Sequence, residues 1–139
     1  MPEELKARLR RLVDEYNKGN INAADELYVS DCIYHTPPLQ DLQGLEAFKK
    51  VLTDIVKGYP DFKMKIDEII VEGDTSVERV SWKGTHKGQI GRLPIPPTGK
   101  EVEWSECVVA HYVGGNIVEQ WEYIDLLGGL QQLGVIPSM

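Results

Sequence analysis

The stretch EVEWSECVVAHYVGGNIVEQWEYID, residues 101–125, contains two β-strand patterns that meet at a pair of glycines. Apolar and polar residues alternate on both sides of Gly114-Gly115, as they do in half-buried strands joined by a tight turn. The alternation predicts one strand over residues 101–113 and a second over 116–125. Successive side chains point to opposite faces of a strand, so half of the residues in each strand face inward.

Helical patterns precede these strands along the chain. Apolar side chains recur at helical spacing over residues 5–16 and again over 45–55, and alternation returns at 62–67 and 77–87. Helices followed by an antiparallel meander predict an α+β fold, in which the N-terminal helices pack on a strongly curved, mostly antiparallel mixed sheet. We expect one domain over residues 1–139. The other predicted elements are a short helix capped by Asn22, a strand over 29–36, a turn at 72–74, a loop over 88–99 and a closing helix over 126–133.

The composition disfavours several classes of function. The formal net charge is −7, whereas phosphate binding needs clustered Lys and Arg, so nucleic acid is not an expected partner. No apolar run is long enough to cross a bilayer, and the charged N-terminus lacks the apolar core of a signal peptide. Cys32 and Cys107 are far apart in apolar contexts, and we expect two buried free thiols in a cytoplasmic protein.

A curved sheet with helices across its concave face leaves a hollow, and the polar residues that face this hollow are the candidate site. Glu119, Trp121, Tyr123 and Asp125 share one face of the last strand because they are spaced by two. Aromatic area combined with carboxylates is what a catalytic pocket wall needs. We therefore expect this face to line the pocket, where desolvation would raise the pKa of Asp125 toward that of a general base.

Each of these residues also has a structural interpretation. Asp125 precedes the closing helix and is equally well explained as its N-cap. Glu119 is explained by an ion pair with Arg79 or with a lysine across the sheet. The facing of His111 depends on whether the turn has two residues or three residues with a bulge. A histidine taken alone is more often structural than catalytic. The histidines show no local ligand pair, so we expect no metal site; they are His35, His86 and His111.

Several segments together resemble the SnoaL-like polyketide cyclases, which include ester cyclases. They are Gly84-Thr85-His86-Lys87-Gly88, Ile95-Pro96-Pro97-Thr98-Gly99-Lys100, Gly115-Asn116-Ile117-Val118-Glu119 with Trp121 and Asp125, Leu130-Gln131-Gln132-Leu133-Gly134, and Asp31-Cys32-Ile33-Tyr34-His35-Thr36-Pro37. The resemblance implies the cone-shaped fold of nuclear transport factor 2, a homodimer, and ring closure by an aldol reaction without metal or organic cofactor. It also implies that Asp125 is the acid–base residue, that His35 and His86 lie near the pocket, and, more loosely, that His111 does.

The function expected from these residues is acid–base catalysis on a small hydrophobic ketone or ester. Asp125 would remove a proton next to a carbonyl, and a histidine would donate one to the oxygen that gains charge. Aromatic side chains would hold and bend the substrate, namely Trp82, Trp104 and Trp121, with Glu119 and Tyr123 beside them. The same hollow could serve an isomerase, a dehydratase, an epoxide hydrolase or a non-catalytic binding protein.

Overall fold

The computed structural model describes residues 2–89 and 92–138. Three α-helices and six strands are present in this part of the chain, with one short 3₁₀ helix at Ile21–Glu26. The helices are α1 (Pro2–Asn17), α2 (Leu45–Gly58) and α3 (Leu126–Gln132), and the strands are β1 (Tyr28–His35), β2 (Leu42–Gln43), β3 (Lys63–Glu72), β4 (Thr75–Thr85), β5 (Glu101–Val113) and β6 (Asn116–Ile124).

The six strands form one mixed sheet in the order β2-β1-β6-β5-β4-β3. Strands β3 to β6 form an antiparallel meander, β1 pairs parallel with β6, and β2 pairs antiparallel with β1. The predicted α+β class with helices on a curved mixed sheet is confirmed. Strand β2 was not predicted, because a two-residue strand is too short to show an alternating pattern.

Helices α1 and α2 cover the concave face of the sheet. Leu9, Leu12 and Tyr16 of α1 are buried, and so are Phe48 and Leu52 of α2. The apolar stripe of each amphipathic helix therefore packs into the main core. Strand residues complete this core, among them Tyr28, Tyr34, Ala110, Tyr112 and Ile117.

The turn between β5 and β6 settles the register that the sequence left open. Gly114 and Gly115 form a two-residue turn at positive φ, and Val113 pairs with Asn116. The register then shifts by one residue, so that Tyr112 pairs with Ile117 but His111 pairs with Glu119. Because of this bulge, His111 lies on the same face of the sheet as Glu119.

The two cysteines are both free, but only one is buried. Cys32 of β1 is fully buried, whereas Cys107 of β5 is exposed. Cys107 pairs with Tyr123 on the face of the sheet opposite the helices. The expectation of a second buried thiol was therefore wrong. Over the described ranges, no helix is long and apolar enough to cross a membrane.

Candidate active site

A cavity of about 160 Å³ lies between the helices and the concave face of the sheet. This volume is similar to that of an engineered cavity of about 150 Å³ that binds benzene. Helices α1 and α2 provide aliphatic walls, and the indoles of Trp82 and Trp104 stack at 5.7 Å on the sheet side. The apolar lining includes Leu9, Leu12, Val13, Phe48, Leu52, Ile55, Met64, Val80, Leu93, Val108 and Ile124.

Three glutamates face this mainly apolar cavity. Glu78 of β4 and Glu122 of β6 both pair with Val108, one from each side, and all three residues line the cavity. Glu106 lies two residues before Val108 on the same face of β5 and also lines the cavity. Glu106 is thus a diagonal cross-strand neighbour of both other glutamates, a relation that places β-carbons about 7 Å apart.

The surroundings of the three carboxyl groups affect their pKa values differently. Burial, and then the charge of Glu122, raises the pKa of Glu78 to about 7. Burial raises the pKa of Glu106 well above its usual value, and the charges of Glu122 and Glu78 raise it further. Burial also raises the pKa of Glu122, but a hydrogen bond from Gln120 and the charge of Arg92 oppose that rise. The partners of Glu122 therefore favour its ionised form, whereas burial and the neighbouring charges favour the protonated form of Glu106.

A chain of hydrogen bonds fixes the carboxylate of Glu122. The hydroxyl of Tyr28 donates to Oε1 of Gln120 at 2.8 Å, and Nε2 of Gln120 donates to Oε1 of Glu122 at 2.8 Å. Both Tyr28 and Gln120 are buried. The donor from Tyr28 fixes which end of the Gln120 amide is oxygen, and so presents an N–H to the carboxylate.

Two further polar groups border the cavity. The hydroxyl of Tyr16 is buried and has no hydrogen-bond partner among the described residues. Arg92, in the loop between β4 and β5, donates from Nη1 to the carbonyl of Gln40 at 2.5 Å and from Nη2 to the hydroxyl of Thr36. Arg92 thereby joins its own loop to the segment between β1 and β2 at the edge of the cavity.

The predicted pocket face of the last strand faces the other way. Gln120, Glu122 and Ile124 line the cavity, whereas Glu119, Trp121, Tyr123 and Asp125 do not. The expectation that these four residues form the pocket wall was therefore wrong. Alternation defines two faces of a strand, but the packing of the helices decides which of them is covered.

Asp125 is exposed and caps α3. Its Oδ1 accepts the backbone N–H of Gly128 at 2.9 Å, which is the geometry of an N-cap. Among the described residues, the carboxylate is therefore not enclosed by Trp and Tyr, contrary to the prediction from the sequence. A catalytic role for Asp125 stays a prediction, and its position outside the cavity lining gives that role no support.

His35 and His111 lie on the outer face of the sheet. Nε2 of His35 is 2.6 Å from Oε2 of Glu119, and its Nδ1 is 3.0 Å from Oδ1 of Asp41. The hydrogen bond to Glu119 is the main cause that raises the pKa of His35. The ring of Trp121 stacks on that of His35, with 5.0 Å between ring centroids, and makes a T-shaped contact with His111 at 4.7 Å between centroids.

His86 is fully buried and holds the β4–β5 loop. The backbone N–H of Thr98 donates to Nδ1 of His86 at 3.1 Å, so the proton of the neutral ring is on Nε2. Burial lowers the pKa of His86. The structure therefore does not bring the predicted residues Asp125, His35, His86 and His111 together at one site.

Trp82 and Trp104 line the cavity, as predicted from the sequence. The three glutamates were not predicted, although the sequence carries a signal for them. In β4 and β5, a carboxylate interrupts a mostly apolar inward face, at Glu78 beside Val80 and at Glu106 beside Trp104 and Val108. A charged residue on the buried face of a strand is a candidate functional residue, because its desolvation is costly. Within residues 2–89 and 92–138, no group of His, Cys, Asp or Glu side chains is arranged to hold a metal ion.

Comparison with known proteins gives consistent matches to one family. The family model described as SnoaL-like polyketide cyclase matches residues 6–133. The aklanonic acid methyl ester cyclase AcmA of Streptomyces galilaeus is 26% identical over 142 residues, which cover 96% of this chain and 92% of AcmA.

Two solved structures share the fold at 23% and 21% sequence identity. AclR of Streptomyces galilaeus, named as a candidate hydroxylase, superposes with a TM-score of 0.84 at 23% identity, covering 99% of this chain and 85% of AclR. A protein of Jannaschia sp. CCS1, named as a candidate SnoaL-like polyketide cyclase, gives 0.84 at 21% identity, covering 97% and 94% of the two chains. The names of these neighbours span two reaction types, so the fold alone does not fix the reaction.

Proposed function

Because this chain belongs to the SnoaL-like polyketide cyclase family, we propose that it closes a ring in a hydrophobic ketone or ester by acid–base chemistry in its cavity, without a cofactor. The observation that carries the proposal is that three glutamates line one mainly apolar cavity, in surroundings that favour ionisation of Glu122 and protonation of Glu106. Gln120 and Arg92 both favour the ionised form of Glu122. At Glu106, a hydrogen bond with Trp82 favours ionisation, but burial and the charges of Glu122 and Glu78 oppose it. A base and an acid at one site are what an aldol reaction requires.

In this mechanism, the carboxylate of Glu122 removes a proton from a carbon next to a carbonyl of the substrate. The electron pair of the broken C–H bond forms the new carbon–carbon bond with a second carbonyl carbon in the same molecule. The oxygen of that carbonyl takes the proton of Glu106. The proton on Glu122 then restores Glu106 by exchange within the cavity, so the product is an isomer of the substrate.

The walls of the cavity supply the remaining part of the rate enhancement. The stacked indoles and the aliphatic side chains of α1 and α2 favour a folded apolar substrate over an extended one. Holding both reacting carbons in one small cavity makes the step intramolecular and oriented, with effective molarities on the order of 10⁵ M or more. The exclusion of water strengthens the interactions with the developing charge.

The test is the exchange of solvent deuterium into a panel of β-keto methyl esters. Proton abstraction precedes ring closure, so exchange reports the base even when a probe cannot cyclise. We expect the wild-type protein to catalyse exchange and Glu122→Gln to lose it while keeping its fold by circular dichroism. Asp125→Asn is the matched control, because Asn caps a helix nearly as well as Asp and the residue lies outside the cavity lining.

If Glu122 is the base, Glu122→Gln loses deuterium exchange and Asp125→Asn keeps it; if Asp125 is the base, the reverse holds. Loss of exchange in Asp125→Asn with retention in Glu122→Gln would restore the assignment made from the family motif and overturn this one. Binding of the probes without any exchange in the wild-type protein would instead favour a non-catalytic binding cavity.

A further inference from the structure

Arg92 is a cation at the edge of an apolar cavity. Among the described residues that line this cavity, Arg92 is the one that is basic. Its loop lies across from the segment that contains Thr36 and Gln40. Its two hydrogen bonds go to a neutral carbonyl and a neutral hydroxyl. Neither partner neutralises the charge of the guanidinium.

The guanidinium has no anionic partner in the part of the chain that the structure describes. None of the ion pairs found among residues 2–89 and 92–138 includes Arg92. Its Nε is buried and lacks a hydrogen-bond acceptor among the same residues. Arg92 is partly buried, and a cation that is partly withdrawn from water is stabilised when an anion pairs with it. A guanidinium pairs best with two oxygens of one acidic group.

Arg92 and the proposed base Glu122 line the same cavity but are not paired with each other. The charge of Arg92 lowers the pKa of Glu122, yet the two side chains do not form an ion pair. Glu122 is held instead by Gln120, and Arg92 by Thr36 and Gln40. The fold thus keeps a fixed carboxylate and a fixed guanidinium apart within one small apolar space.

We propose that Arg92 binds an anionic oxygen of the substrate, so that the substrate class is a hydrophobic ketone or ester that also carries an acidic oxygen. This inference rests on the proposed function and adds the binding group that orients the substrate in the cavity. The oxygen belongs either to a permanent acid group or to the enolate that forms when Glu122 removes a proton. In both cases the apolar body lies against Trp82 and Trp104, and the charge lies at the loop edge.

The test measures binding, which needs no turnover, so its failure is distinct from failure of the proposed reaction. Isothermal titration calorimetry compares naphthalene-2-carboxylate with naphthalene-2-carboxamide, which have similar shape and differ in charge. A third probe, 2-acetyl-1-tetralone, is an enolisable diketone whose enolate is followed by its absorption. The proteins are the wild type, Arg92→Met, Arg92→Lys and the control Arg10→Met, in which an exposed arginine of α1 is changed.

For a permanent acid group, we expect the wild type to prefer the carboxylate over the amide by about tenfold or more. For the enolate, we expect the enolate absorption to appear at a lower pH on the protein than in free solution. Arg92→Met should abolish whichever effect is present, Arg92→Lys should keep part of it, and Arg10→Met should keep all of it. Repeating the titration in Glu122→Gln removes repulsion of the probe by that carboxylate.

Unchanged binding of the amide to Arg92→Met shows that the cavity has kept its shape. The proposal is overturned if the wild type shows neither effect in either background, or if Arg92→Met retains the effect that the wild type shows. Failure of the wild type to bind the carboxylate and the diketone up to their solubility overturns it as well. None of these results depends on whether deuterium exchange occurs.

Discussion

Replacing Gln120 with Met removes the donor that faces the proposed base and keeps the length of the side chain. The Nε2 of Gln120 donates to Oε1 of Glu122 at 2.8 Å in a buried setting. A hydrogen bond to a charged group contributes about 1.5–3 kcal/mol. Since about 1.4 kcal/mol is a factor of ten, the proton affinity of Glu122 should rise about ten- to a hundredfold, which raises its pKa.

The assay is the pH dependence of deuterium exchange into a β-keto methyl ester. At a pH where wild-type Glu122 is only partly ionised, exchange by Gln120→Met should be about ten- to a hundredfold slower. At high pH the base is ionised in both proteins, so the two rates should converge. Gln43→Met is the control, because Gln43 is exposed on β2, and it should follow the wild-type profile throughout.

The shape of the profile decides whether the reasoning holds. A uniform loss of rate at every pH would mean that Gln120 supports the fold or the substrate rather than the protonation of Glu122. An unchanged acid limb would refute the role of Glu122 as the group that must ionise. Thermal unfolding of the variant is measured in parallel, because the buried hydroxyl of Tyr28 loses its acceptor and stability should fall by about 1–3 kcal/mol.

Two further predictions concern the outer face of the sheet. The hydrogen bond to Glu119 raises the pKa of His35 above 6.5, so its stabilising effect should be complete below that pH and decline as pH rises through the higher value of the folded state. In urea denaturation the stability difference between the wild type and His35→Asn should therefore shrink from pH 5.5 to pH 9, and a constant difference would contradict this. We also propose a homodimer that buries the outer face, where Tyr123 is 53% exposed. Sedimentation should then show a dimer that Tyr123→Lys weakens, and a monomeric wild type would refute it.

Much of the fold could be predicted because its signals are local. The alternation over 101–113 and the glycine turn gave strand β5 within the observed bounds, and the apolar stripe of α1 gave the first helix. The parallel pairing of β1 with β6 could not be predicted in this way. It joins residues such as His35 and Trp121, which are distant in sequence, and no local pattern specifies such a partner.

The site was harder to predict, because the last strand has polar residues on its covered face and aromatic residues on its outer face. Gln120 and Glu122 face the covered side, whereas Trp121 and Tyr123 face outward. The hydrophobic pattern alone therefore assigns the inner face to the aromatic residues. Local rules commonly fail at functional positions, since a carboxylate used in chemistry is kept in an apolar place at a cost in stability.

The pairing of β1 between β2 and β6 has a consequence for synthesis of the chain on the ribosome. Strand β1 is made early, but its parallel partner ends only at Ile124. Until that strand has left the exit tunnel, one long edge of β1 stays unpaired and the apolar faces of α1 and α2 lack part of their cover. Nascent chains that stall before this point present an open strand edge and are the forms that a chaperone should bind.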